Sequence, residues 1–232
     1  MARRRPYDAP MPIQWIFLDV GGVLFSDDSY FDALYEAIAG ASPETTREAY
    51  DARFDSLRAG QKEPFTEALM RAFVLDTSRH SAVRAAADAR WEMHGYSHDE
   101  LYPEVPETLR TLSRRYKLAC ITNHFSWVRD RARDAGFADL VSAWTISAEL
   151  GMEKPDPAIF VHTLREAGVA PERAVMVGDR LDRDIAPAKA LGMRTVWVLR
   201  NEAPDHPTAA QLSVPDGAVR TLDEVPELIA GW

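Results

Sequence analysis

The 232-residue chain is 46% hydrophobic with a formal net charge of -9, enough to bury a core of one large domain or a core plus an insertion, and it excludes a general polyanion-binding surface. No apolar run reaches the length of a membrane span, and the charged N-terminus is not followed by an apolar signal core, so a cytoplasmic protein without nucleic-acid or membrane partners is expected. Cys120 is the single cysteine, which rules out an intrachain disulfide or a thiolate metal cluster.

Residues 1–12, with Arg3, Arg4 and Arg5 on a Pro-bearing arm, read as a disordered tail. Ile13 to Leu18 then forms a short apolar run that reads as a buried strand ending on Asp19, with Gly21 and Gly22 letting the backbone turn sharply behind it. An acid in such a place needs water, a partner or a metal. From Ser26 the texture becomes helical, with helices expected over Tyr30–Ala39, Pro43–Arg58, Pro64–Leu75 and Ser78–His94, and with Gly40 and Gly60 as breaks. The segment 26–100 carries fifteen acids against eight bases, and therefore most of the net negative charge.

After Tyr102 helix and strand alternate. Helices are expected over Pro106–Arg115, Trp127–Ala135, Pro157–Ala167 and Asp182–Leu191, and strands over Lys117–Ile121, Ala143–Ile146, Ala174–Val177 and Arg194–Leu199. Asn201–Pro215 reads as a Pro-rich loop, followed by a short strand near Ala218 and a last helix from Leu222. The alternation predicts an α/β fold, a Rossmann-like doubly wound parallel sheet built from 13–25 and 101–232, with 26–100 inserted as an α-helical cap. Ligands of such sheets sit outside the carboxyl ends of the strands, where Asp19, Thr122, Asn123 and Asp179 would converge.

Two carboxylates brought so close need a cation between them, and magnesium, a hard ion that takes carboxylate, water and phosphate oxygens, suits them. The Thr122 hydroxyl and the backbone N–H of Asn123 suit an anionic oxygen, and Lys154, in a Pro-rich turn, offers a fixed cation. A nucleophile, a metal, an oxyanion cradle and a cation together suit phosphoryl transfer.

Four motifs in this order and spacing resemble the haloacid dehalogenase superfamily: Phe17 to Leu24 around Asp19, Ile121 to Asn123, Lys154-Pro155, and Gly178 to Ile185. The resemblance implies a magnesium-dependent hydrolase of a small phosphorylated metabolite, in which Asp19 attacks phosphorus and forms an aspartyl intermediate. It implies that Asp19, the Gly21 carbonyl and Asp179 hold the metal with Asp184 in support, and that Thr122, Asn123 and Lys154 hold the transferring group. A monomer or homodimer is expected.

The family's phosphatases usually carry a second Asp two residues after the nucleophile, which protonates the leaving group; here that position is Gly21. General acid-base catalysis typically contributes about 10² to 10⁴ in rate. His124 is the candidate replacement. The chain also resembles a branch acting on hexose 1-phosphates that has Gly at this position. An L-2-haloacid dehalogenase would need no metal and usually carries an early Arg, absent here between Asp19 and Arg47; a HAD-fold binding or regulatory protein that has lost its chemistry is the other alternative.

Elsewhere the residues read as structural. Asp27 and Asp28 are expected to cap the first helix, and Trp91, Trp127, Trp144 and Trp197 to pack singly. Tyr30, Phe31 and Tyr35 form a core-facing or pocket-facing stripe, Asp182 a helix start or a support for the acids, and His94 with His98 a surface pair at the cap boundary.

Overall fold

A computed structural model describes residues 12–94 and 101–232, apart from the side chain of His94. Residues 1–11 of the expected tail (1–12) and His98 lie outside the described residues. The strands are β1 (Trp15–Leu18), β2 (Lys117–Thr122), β3 (Val141–Ile146), β4 (Ala174–Gly178), β5 (Arg194–Val198) and β6 (Gly217–Val219). They form a six-stranded sheet in the order β3-β2-β1-β4-β5-β6, with every neighbouring pair parallel.

Alternation along the strands divides the core in two. Ile16, Leu18, Leu118, Cys120, Val175 and Val177 join one cluster with Val105, Leu109 and Val128. Their strand neighbours Trp15, Phe17, Ala119, Ile121 and Met176 join a second, with Ile159, Phe160 and Ala188. Both faces are thus covered, which a fully parallel sheet requires. The helices of this part are α5 (Val105–Ser113), α6 (Val128–Asp134), α7 (Ser147–Leu150), α8 (Pro157–Ala167), α9 (Ala186–Ala190), α10 (Ala209–Leu212) and α11 (Val225–Ile229).

Between β1 and α5 lie α1 (Asp28–Ala41), α2 (Arg47–Gly60), α3 (Phe65–Phe73) and α4 (His80–His94). Their apolar residues, among them Leu34, Ile38, Tyr50, Phe65 and Leu69, form a separate cluster. Arg180 ties this helical unit to the sheet. Its guanidinium lies 3.9 Å from the Phe65 ring centre, donates to the Glu63 carbonyl at 3.0 Å, and pairs with Asp182 and Glu202. Gln61 accepts from the Leu181 N–H at 2.8 Å.

Several expected boundaries move for local reasons. The break expected at Gly40 falls one residue later, where α1 ends at Ala41 and the Ser42 N–H donates to the Ile38 carbonyl. The second helix starts at Arg47, not Pro43, since Thr46 accepts from the Ala49 N–H at 3.2 Å and caps it there. The helix expected over Asp182–Leu191 is split into a π-helical turn, Leu181–Ile185, and α9. Pro187 has no N–H to continue the ladder back to Arg183. The Asn201–Pro215 loop contains α10, started by a capping box between Thr208 and Gln211.

Leu34 and Ile16 are both fully buried, one in each part of the chain. Leu34→Ala and Ile16→Ala are each expected to cost about 2–5 kcal/mol, read as a lower urea midpoint. An unchanged midpoint for either variant would contradict the packing described here.

Candidate active site

In the strand order β1 and β4 are neighbours, and the chain leaves β1 toward β2 on one side and returns to β4 on the other. The crevice outside their carboxyl ends is the switch point of the sheet. β1 delivers Asp19 there, its N–H donating to the Val177 carbonyl of β4 at 2.9 Å. β4 ends on Gly178 and delivers Asp179; β2 ends on Thr122, which is 2% exposed. Carboxylate oxygens of Asp19, Asp179 and Asp184 lie within 4.8 Å of one another.

Lys154 is 3% exposed and its Nζ stands 2.7 Å from Asp19 Oδ1 and 2.7 Å from Asp184 Oδ1. Asn123 sets that position: its Oδ1 accepts from the Lys154 N–H at 2.7 Å and its Nδ2 donates to the Lys154 carbonyl at 2.8 Å. The Asn123 side chain is therefore committed to the Lys154 backbone, leaving the role expected for Asn123 to its main chain. Asp184 also accepts from the Arg180 N–H at 3.0 Å, and the π turn holds it inside the site. Asp182, read as a helix start or a support, grips Arg180 through both oxygens.

Burial pulls the Lys154 ammonium down, but Asp184 and Asp19 outweigh it and hold the lysine above its ordinary range. The acids respond in the opposite sense. Burial, with Glu202, Asp184 and Asp19 nearby, pushes the Asp179 carboxyl well above the usual range. Asp184 is pushed up to about 6 by burial, against the pull of Lys154. One ammonium does not satisfy three carboxylates, and a cluster of buried oxygen donors that resists ionisation fits a hard divalent cation.

Two groups that sequence reasoning missed shape this cluster. Trp197 Nε1 donates to the Asp179 carbonyl at 2.8 Å from within the core. Arg200 donates to the Gly22 carbonyl at 3.1 Å and to the Val23 carbonyl, and stacks 3.5 Å from the Tyr102 ring centre, clamping the turn after β1. Within that turn Gly22 has φ of 68°, and a Cβ there would come within 2.1 Å of Asp179 Oδ2. Only glycine allows this approach. A lone Trp and a lone Arg carry no periodicity or motif to mark them in advance.

Asp19 and Asp179 floor a cavity of about 420 Å³, lined also by Gly21 and, from the helical unit, by Tyr30, Phe31, Thr66, Arg84, Asp88 and Trp91. That size suits a small metabolite. Tyr35 faces Tyr50 and Arg47 instead. Trp91 and Trp127, expected to pack singly, meet at 4.9 Å, and the His124 ring lies 5.1 Å and 4.4 Å from them. Burial among these rings lowers the His124 imidazole to about 4, and its Nδ1 accepts from the Phe125 N–H at 2.8 Å. A histidine neutral at physiological pH is a poor proton donor, which weighs against the acid role expected of His124. Asp27 occupies the N-cap position of α1 but makes no side-chain capping bond.

Among relatives, a phosphoserine phosphatase of Thermus thermophilus is 42% identical over 127 residues, covering 54% of this chain and 49% of the relative. A glyceraldehyde 3-phosphate phosphatase of Methanopyrus kandleri is 36% identical over 152 residues, covering 62% and 64%. The chain thus spans about half to just under two thirds of these curated relatives. In three dimensions it resembles a haloacid dehalogenase-like hydrolase from Streptococcus pneumoniae, with a TM-score of 0.74 and 19% identity over 93% of this chain and 98% of the other, a likeness of fold. Residues 13–192 match the haloacid dehalogenase-like hydrolase family, and the chain belongs to it, as the four motifs led us to expect.

Proposed function

We propose that the protein is a magnesium-dependent phosphatase of a small phosphorylated metabolite that works through an aspartyl-phosphate on Asp19. The observation that carries this reading is the Asp19 carboxylate at the switch point, 2.7 Å from a buried Lys154 and beside Asp179 and Asp184. A dehalogenase displacing halide from carbon has no use for the last two acids, whereas phosphoryl transfer uses them to hold a divalent cation. The phosphatase names of the two relatives point the same way.

In this reading the ester phosphate enters over Asp19, and Lys154 holds that carboxylate aimed while offsetting charge on the phosphoryl oxygens. The Thr122 hydroxyl and the Asn123 main chain bind those oxygens. Asp19, the Gly21 carbonyl, Asp179 and Asp184 would hold the cation, which supplies charge neutralisation to the transferring group. The unit spanning 26–100 acts as a cap that contacts the rest of the substrate and excludes water, and His124 forms an apolar wall with Trp91 and Trp127. A cytoplasmic location agrees with a buried, unpaired Cys120 and with the absence, among the described residues, of a helix long and apolar enough to cross a membrane.

Asp19→Asn is expected to lower magnesium-dependent phosphate release from p-nitrophenyl phosphate by more than about 10³-fold, since the amide cannot attack phosphorus. Retained turnover would remove Asp19 as nucleophile, and a wild type inactive on nitrophenyl, sugar and carboxylate-bearing phosphates would overturn the whole reading. Asp184→Asn is expected to weaken magnesium binding about 10–100-fold by isothermal titration calorimetry. An unaltered affinity would exclude Asp184 from the metal site.

His124 gives a pH expectation. Its folded value of about 4 lies below the ordinary 6.5, so on acidification the unfolded chain takes up the proton first. The stability it contributes is complete above the ordinary value and is lost as pH falls toward the folded one. Wild type should therefore lose more stability over that interval than His124→Gln, compared by urea midpoints; an imidazole titrating near its ordinary value by NMR would contradict this.

A further inference from the structure

We infer that Asp27 is the general acid and base of the reaction, its carboxylate standing in the place that Gly21 leaves open. This rests on the phosphatase reading above. A Cβ built on Gly21 would fall 2.4 Å from Asp27 Oδ2, 2.7 Å from Oδ1 and 2.9 Å from Cγ. Within one aspartate the Cβ to Oδ separation is about 2.4 Å from ordinary bond lengths. The Asp27 oxygens thus crowd the point where a side chain at position 21 would begin, while Cγ lies 2.9 Å from it and not the about 1.5 Å of a single side chain, so the carboxylate enters this space from another direction. A carboxylate is present; it reaches the site from the start of α1 and not from the turn after β1.

Three further observations fit. Asp27 and Gly21 line the same cavity as Asp19. Asp27 sits at a helix N-cap, where an aspartate usually accepts from the first-turn N–H groups, yet its side chain makes no such bond. Asn201 Nδ2 lies 3.3 Å from Asp27 Oδ2 and 3.5 Å from Asp179 Oδ2, holding one carboxylate beside the other. Asn201 does so with φ of 54°, a conformation that asparagine tolerates better than most residues.

The step balances as follows. An Asp19 oxygen bonds to phosphorus while the bond from phosphorus to the ester oxygen breaks, and that oxygen takes the proton of the Asp27 carboxyl, leaving as the alcohol. The Asp27 carboxylate then removes a proton from water as the water oxygen bonds to phosphorus and the bond to Asp19 breaks. Phosphate leaves, Asp19 is again a carboxylate, and Asp27 is again protonated.

The test separates leaving groups. Wild type and Asp27→Asn are compared on p-nitrophenyl phosphate, whose leaving group departs without a proton, and on the alkyl esters glycerol 2-phosphate and phosphoglycolate. Asp27→Asn should cut kcat/KM on the alkyl esters by about 10² or more and leave the nitrophenyl burst, one equivalent per site, in place. Equal losses on both ester classes, or none, would overturn the inference while the phosphatase reading stands. So would a wild type that cleaves only the nitrophenyl ester; one that cleaves nothing takes both readings down.

A relocation covers the case of a structural Asp27. Gly21→Asp alone places a side chain onto the Asp27 carboxylate and should be inactive. Gly21→Asp combined with Asp27→Gly returns a carboxylate to the same space and should regain about tenfold or more over Asp27→Gly on the alkyl esters. No recovery in a double variant that folds with native circular dichroism and binds magnesium would exclude the role.

Discussion

The structure turns on a buried ammonium between two acids. Lys154 touches Asp19 and Asp184 at 2.7 Å each, and those residues come from the ends of β1 and the π turn after β4. A lone buried lysine would shed its proton; here Asp184 and Asp19 hold it on the ammonium. Much nearby structure serves this arrangement. Asn123 pins the Lys154 backbone, Trp197 pins Asp179, and Arg200 pins the turn that brings Gly22 against Asp179.

The parallel sheet explains why these groups meet although Asp19 and Lys154 lie far apart in sequence. Strand ends of a doubly wound sheet point one way, and the order reverses beside β1. Among the described residues no ammonium or guanidinium pairs with Asp179. Its carboxyl, raised by burial and by neighbouring acids, records an electrostatic need that a divalent cation can meet.

The fold was legible because strands buried on both faces write continuous apolar runs, as at Trp15–Leu18 and Ala174–Val177, and because Asp19, Thr122, Lys154 and Asp179 fall in recognisable local motifs. What stayed hidden depended on contacts between distant segments. Pro187 lay in the open, but its effect, a π turn that carries Asp184 inward, needs the ladder around it. Trp91 and Trp127 looked isolated because no periodicity links α4 to the start of α6. Asp27 had the look of a helix cap, and only the close approach of its carboxylate to Gly21 marks it for a different role.

The aromatic contact over the pocket has one more consequence. Trp91 belongs to the helical unit and Trp127 to the sheet-bearing part, and their rings meet edge to face at 4.9 Å with the His124 ring against both. Separating the two parts would part these rings. Indole emission depends on exactly such surroundings, so the molecule carries an intrinsic optical gauge of its own opening, readable without a label and independent of turnover.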